Sequence, residues 1–163
     1  MPSSKFWIGS CILASASLAP ASHAFAQSCS ATPADKSAVV DTMRQLYAAA
    51  TVDDFAKLHT VAARGFYGFD GGHSYNSIDS LMVPVKAQQD EGVKYIWNVT
   101  QPRVTVLCNE AWITYLNVGS FQLPNAAPTP TQWLESAVLE KQSGTWKIVF
   151  FHSTRVPSAR PPN

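Results

Sequence analysis

Two side chains in the C-terminal third of the chain could exchange a proton, His152 and Glu135. Imidazole changes charge near neutral pH, and a carboxylate beside it can orient the ring as a general acid or base. His152 closes the apolar run W-K-I-V-F-F at residues 146–151 and is followed by Ser153, Thr154 and Arg155. Alternation along a strand puts it on one face with Ile148 and Phe150, and puts Glu135 on one face with Trp133, Ala137 and Leu139. Counting back from the turn Gln142-Ser143-Gly144 sets Glu135 opposite His152. The plainer readings are a strand-end histidine bonded for structure and an outward-facing glutamate. Both stay open, because a shift of one residue moves every side chain to the other face.

Around this pair, Tyr115 and Asn117 supply further polar contacts and Arg155 a charge at the rim. Tyr67, Phe69, Trp97 and Trp133 are the aromatic lining expected of a site for a small apolar or aromatic molecule, although aromatics are more often simply core. Asp70 and His73 frame a D-G-G-H turn, where an aspartate usually bonds the turn backbone. His59, His73 and His152 lack metal-ligand spacing and no cysteine cluster joins them, so no metal is assigned and no cofactor is implied. Ser153 has no G-x-S-x-G setting and is not read as a nucleophile.

These residues need elements to hold them. Thr32, Pro33 and Asp35 form a helix start of capping-box type, and Val39, Met43, Leu46, Tyr47 and Ala50 recur at helical spacing, which predicts a helix over 33–50. Thr51 is expected to cap a short second helix carrying Phe55 and Leu58. Residues 66–69 and 73–75 read as a hairpin about Asp70-Gly71-Gly72, followed by a third helix capped at Asn76 or Ser77 and kinked or restarted at Pro84. Past Gly92 the period changes, and residues 93–100, 103–108, 111–121, 131–141 and 145–154 read as strands, with a bend or bulge at Pro102 and a long loop over 122–130. Because residues 146–151 are apolar at both parities, that strand is expected to be covered on both faces. Helices first and strands later argue an α+β domain: three N-terminal helices packed on a strongly curved antiparallel sheet, forming a cone with a pocket at its open end.

Composition narrows the partners. The 163 residues open with a lone lysine, an apolar stretch over 6–18 and Ala24-Phe25-Ala26, the pattern of a signal peptide over 1–26. The expected division is then a domain over 27–157 and a Pro-rich tail over 158–163, in a periplasmic or secreted protein. Without Lys5, basic and acidic side chains balance at 11 each, so neither nucleic acid nor, once the signal is cleaved, a membrane is an expected partner. Cys29 and Cys108 would remain in an oxidising compartment, where a bridge closing nearly 80 residues would contribute about 4–5 kcal/mol in the chain-entropy picture.

The segments F-Y-G-F-D-G-G, A-W-I-T-Y-L-N-V-G, W-L-E-S-A-V-L-E-K and W-K-I-V-F-F-H-S-T-R-V-P resemble the SnoaL-like branch of the nuclear transport factor 2-like superfamily, over nearly all of residues 34–157. The chain is also similar to the association domain of calcium/calmodulin-dependent kinase II. The resemblance implies the cone fold, but not one reaction: the superfamily holds isomerases, dehydratases, epoxide hydrolases and polyketide cyclases as well as binding and oligomerising modules. The tyrosine and two acids of its steroid isomerases have approximate counterparts in Tyr47, Asp70 and Glu135, and that mechanism is not carried over. The pocket arginines of the kinase domain fall on Asn117 and Ala137, which removes an arginine-lined anion site. Three readings follow: an exported binder of a small molecule in an apolar cone; a cofactor-free acid/base enzyme using His152 and Glu135; and an association module that forms a homodimer through its outer sheet face, with Trp112 and Trp97 as exposed candidates.

Overall fold

A computed structural model describes residues 31–157; the signal-peptide region, Cys29 and the residues after Pro157 lie outside them. Helix α1 spans Pro33–Thr51 and starts as its sequence dictates, with the Thr32 side chain and Asp35 capping each other. Its buried face carries Val39, Met43, Leu46, Tyr47 and Ala50. Asp35 also receives Lys141 at 2.7 Å, a contact that holds its carboxyl down at about 2. Helix α2 (Phe55–Val61) is capped by Asp54, whose carboxylate accepts from the Lys57 amide. Thr51 instead closes α1, bonding back to the Tyr47 carbonyl. Helix α3 (Ile78–Asp90) starts at Ser77 and continues through Pro84.

Seven strands follow from or interleave with these helices: β1 (Ala62–Asp70), β2 (His73–Tyr75), β3 (Lys94–Ile96), β4 (Val99–Leu107), β5 (Glu110–Gln122), β6 (Thr129–Gln142) and β7 (Thr145–Arg155). The expected strand over 93–100 is broken at Trp97-Asn98, so that β3 and β4 both pair with β5. A register shift between Thr100 and Arg103 marks the bulge expected at Pro102, with Gln101 at φ +50°.

The sheet is one seven-stranded layer in the order β2-β1-β7-β6-β5-β3, with β4 also on β5. It corrects the expected architecture in two ways. It is mixed, because β1 runs parallel to β7. Those two strands are separated by residues 71–144 and joined by no hairpin, so nothing in the turn chemistry forces them antiparallel. It is also open rather than curled into a cone: β2 ends one edge, β3 and β4 end the other, and the two edges do not pair. The helices lie against one face, and Val39, Met43, Leu58, Phe66, Ile113, Leu139 and Ile148 fill the space between the layers.

A bulge in β7 decides which residues face that core. From the turn, Gln142 pairs with Thr145 and Leu139 with Ile148, but Val138 pairs with Phe150. Val149 is the extra residue. It lets Trp146, Ile148 and Phe151 all point inward although their spacing is not strictly two. The doubly apolar pattern therefore reflects a bulge and not a strand covered on both faces.

Cys108, at positive φ in the β4–β5 turn, is disulfide-bonded; its expected partner, Cys29, is outside the described residues.

Candidate functional site

The inner face of the sheet brings four polar side chains, Tyr115, Asn117, Glu135 and Ser153, together beneath a fifth, Tyr47 of α1. Glu135 on β6 is 6% exposed. Its Oε2 accepts from the Tyr47 hydroxyl in a short bond and from Asn117 Nδ2 at 3.1 Å, and its Oε1 accepts from Ser153 Oγ at 3.1 Å. The Tyr115 hydroxyl stands 3.0 Å from that of Tyr47. Asn117, fully buried, uses its other end to accept the Asn98 amide at 2.8 Å, which ties the break between β3 and β4 to the cluster. Loss of water outweighs all of these bonds and pushes the Glu135 carboxyl up to about 7. The same burial, with the nearby carboxylate, raises Tyr47 and Tyr115 well above the usual tyrosine range. Asp70, at the end of β1 and bonded to Ser153, is also raised by burial.

Tyr47, Glu135 and Ser153 of this cluster line a cleft of about 360 Å³ between α1, α3 and the sheet. Trp133 and Trp97 stand on its walls; Trp97 packs 5.6 Å from the Tyr47 ring and stacks on Tyr95 at 4.8 Å, so it faces inward and is no part of the outer sheet face. Arg155 lies over the Phe121 ring at 4.7 Å and reaches Thr131. Among the described residues no three His, Cys, Asp or Glu side chains gather as a metal site requires.

His152 is not in this cluster. The bulge at Val149 puts Ser153 opposite Glu135 and His152 opposite Ser136, so the histidine projects from the other face. There it is exposed, near Thr154 Oγ1 at 3.2 Å and edge-on to Phe69. The pair His152–Glu135 is therefore not assembled. Tyr67 and Phe69 are displaced in the same way: they are 50% and 46% exposed on the outer face. The expected apolar cone-shaped pocket for a small molecule is overturned with them. The sheet that was to enclose it is open, part of its expected aromatic lining is outside, and the interior holds a carboxyl, an amide and hydroxyls at its floor.

What the outer face presents is a row of apolar side chains in register across four strands: Trp112 on β5, Val138 on β6, Phe150 on β7 and Tyr67 on β1. Trp112 is 48% exposed and Val138 37%. Tyr67, Phe69 and Phe150 form a mutual aromatic cluster with ring centroids 5.0–6.4 Å apart. One row further along, Leu116 pairs with Leu134, which is 60% exposed. Between the two rows run Thr114, Ser136, His152 and Phe69. Glu110, Glu140 and Lys147 pair in register at the near end.

A SnoaL-like domain family matches residues 39–158. The chain belongs to the SnoaL-like family. No match emerges among curated proteins. Among solved structures, this SnoaL-like chain is similar to the association domain of C. elegans CaMKII, at 22% identity and a TM-score of 0.63 over 74% of this chain and 95% of that one. The S. rosetta CaMKII hub aligns at 21% identity and 0.63, over 78% and 99%. A ketosteroid isomerase-like protein from Erwinia carotovora atroseptica aligns at 12% and 0.63, over 78% and 100%. At these identities the likeness is one of fold alone.

Ser153 and Tyr47, which are not among the site residues expected from the sequence, both bond Glu135. The available signal was Tyr47 itself, a tyrosine within the apolar stripe of a helix, whose hydroxyl must find a partner when buried.

Proposed function

We propose that this SnoaL-like domain is an association module that pairs with a second copy of itself through the outer face of its sheet. The observation that carries the reading is the apolar row Trp112–Val138–Phe150–Tyr67, in register over four strands and left in contact with solvent in the single chain. Isolated exposed apolar residues are ordinary, but a contiguous patch of this kind marks an interaction surface. Four strands spaced about 4.8 Å apart and about ten residues long project an area of about 600 Å². A stable pair of proteins buries roughly 800 Å² of accessible surface on each side, so the face is of suitable size. The charges Glu110, Glu140 and Lys147 lie at its end and not in its middle, as the rim of an interface requires. The association-domain and hub names of two relatives with this fold support the reading by analogy. The reading includes export to the periplasm or the exterior, supported by the N-terminal pattern and by the bonded state of Cys108.

Light scattering after size exclusion tests the association. The purified protein is expected at twice the mass of one chain or a higher multiple, and Trp112→Thr together with Val138→Thr, both compatible with a strand, shifts it to the single-chain mass with unchanged far-UV circular dichroism. A single-chain mass for the unaltered protein at every concentration would refute the reading.

A further inference from the structure

We infer that His152 makes this self-association pH-dependent, holding the pair together while the imidazole is neutral and separating it when the imidazole takes up a proton. The inference rests on the outer-face association proposed above.

The argument is one of position. His152 stands on β7 in the row between the two apolar rows, opposite Ser136 of β6 and Phe69 of β1. Its neighbours along the same face of β7 are Phe150 and Thr154, and its ring meets Phe69 edge-on at 6.4 Å. A second sheet laid on this face removes water from His152 as it does from Trp112, Val138 and Phe150. A neutral imidazole can be covered there, with Thr154 Oγ1 3.2 Å from Nε2. An imidazolium cannot be covered without losing hydration that apolar rings do not replace.

The surrounding charges act in the same direction. On β6 the facing positions Leu134, Ser136 and Val138 carry none, and on β5 neither do Trp112, Thr114 and Leu116. On β1 the nearest ionisable group is Asp70, turned inward to Ser153 but close enough for charge on His152 to favour its carboxylate. His73 of β2 pairs with Asp70 in register, Tyr67 lies diagonally across, and Arg103 of β4 and Arg155 of β7 stand further off. Among the described residues no acidic side chain projects from the outer face beside His152 to pair with an imidazolium inside the interface. Of the groups on the two apolar rows and the row between them, His152 is the one whose charge changes in the physiological range.

Sedimentation equilibrium of the purified full chain between about pH 8 and about pH 5.5 brackets imidazole titration and tests this. The dissociation constant of the pair is expected to rise about tenfold or more on acidification, because each of the two copies of His152 contributes up to about tenfold for a one-unit difference in proton affinity between separate and paired chains. His152→Gln, which keeps a polar planar side chain without the titration, is expected to associate at both pH values with a constant that no longer changes. A pair whose constant is flat with pH, or changes equally in His152→Gln, overturns the inference and leaves the association reading standing. A single-chain mass at every pH overturns both. Circular dichroism at the acidic limit separates dissociation from unfolding.

Discussion

Glu135 has two tyrosines, an amide and a hydroxyl around it and almost no water. Its proton affinity is raised on folding, to about 7, so the folded chain holds a proton that the unfolded chain releases at lower pH. Stability is then fullest below the unfolded carboxyl range and falls as pH rises through neutrality. The loss is of the order of 3 kcal/mol once the folded group ionises, by the worth of each pKa unit. Glu135→Gln is expected to flatten the dependence of the melting temperature on pH between about 5 and about 8, most of the gain appearing at the alkaline end. An unchanged slope would mean that Glu135 keeps its charge in the fold. Much of this was legible: strand alternation puts Glu135 on a face with Trp133, Ala137 and Leu139, and the structure agrees. Its partner was not. The count from the turn is correct as far as Leu139–Ile148, and the single bulged residue Val149 then replaces His152 by Ser153. A run of apolar residues such as W-K-I-V-F-F gives no sign of where an extra residue is absorbed.

At the scale of elements, capping chemistry and turn residues placed α1, α3 and the β6–β7 hairpin, because these depend on neighbours in sequence. The partner of β1 depends on contacts across the intervening residues 71–144, and local signals carry no information on it. The break between β3 and β4 has a similar origin. Gly119 on β5 lies against the Ile96-Trp97 backbone, and a Cβ there would stand 1.7 Å from the Ile96 carbonyl oxygen. The chain passes over a glycine at this point, and Asn117 then fastens Asn98 beside it. Gly119→Ala must push β3 off its edge of the sheet. It is expected to destabilise the fold by about 2–3 kcal/mol, within the range of severe single substitutions, as a lower denaturant midpoint. A midpoint equal to that of the unaltered protein would show that β3 adjusts at no cost.

For the whole molecule, the order of helices and strands and the closing motif point to the SnoaL-like family, and the open sheet departs from the cone that the resemblance implies. Long antiparallel strands and plentiful aromatics read as a curled wall with an apolar interior. In the open mixed sheet the aromatics are divided: Trp97 and Trp133 turn toward the helices, whereas Tyr67, Phe69, Trp112 and Phe150 are on the far side. A face of that kind on a single layer needs a second layer, and the account assigns that role to another copy of the chain. Hydroxyl-radical footprinting at low and high protein concentration tests this most directly, because it reads individual side chains. The account predicts that Trp112, Phe150, Tyr67 and Phe69 lose reactivity as concentration rises, while Val52, Val83 and Leu123, exposed elsewhere on the molecule, keep theirs. Equal reactivity of the four aromatics at both concentrations, or protection centred on Val52 and Val83, would contradict it.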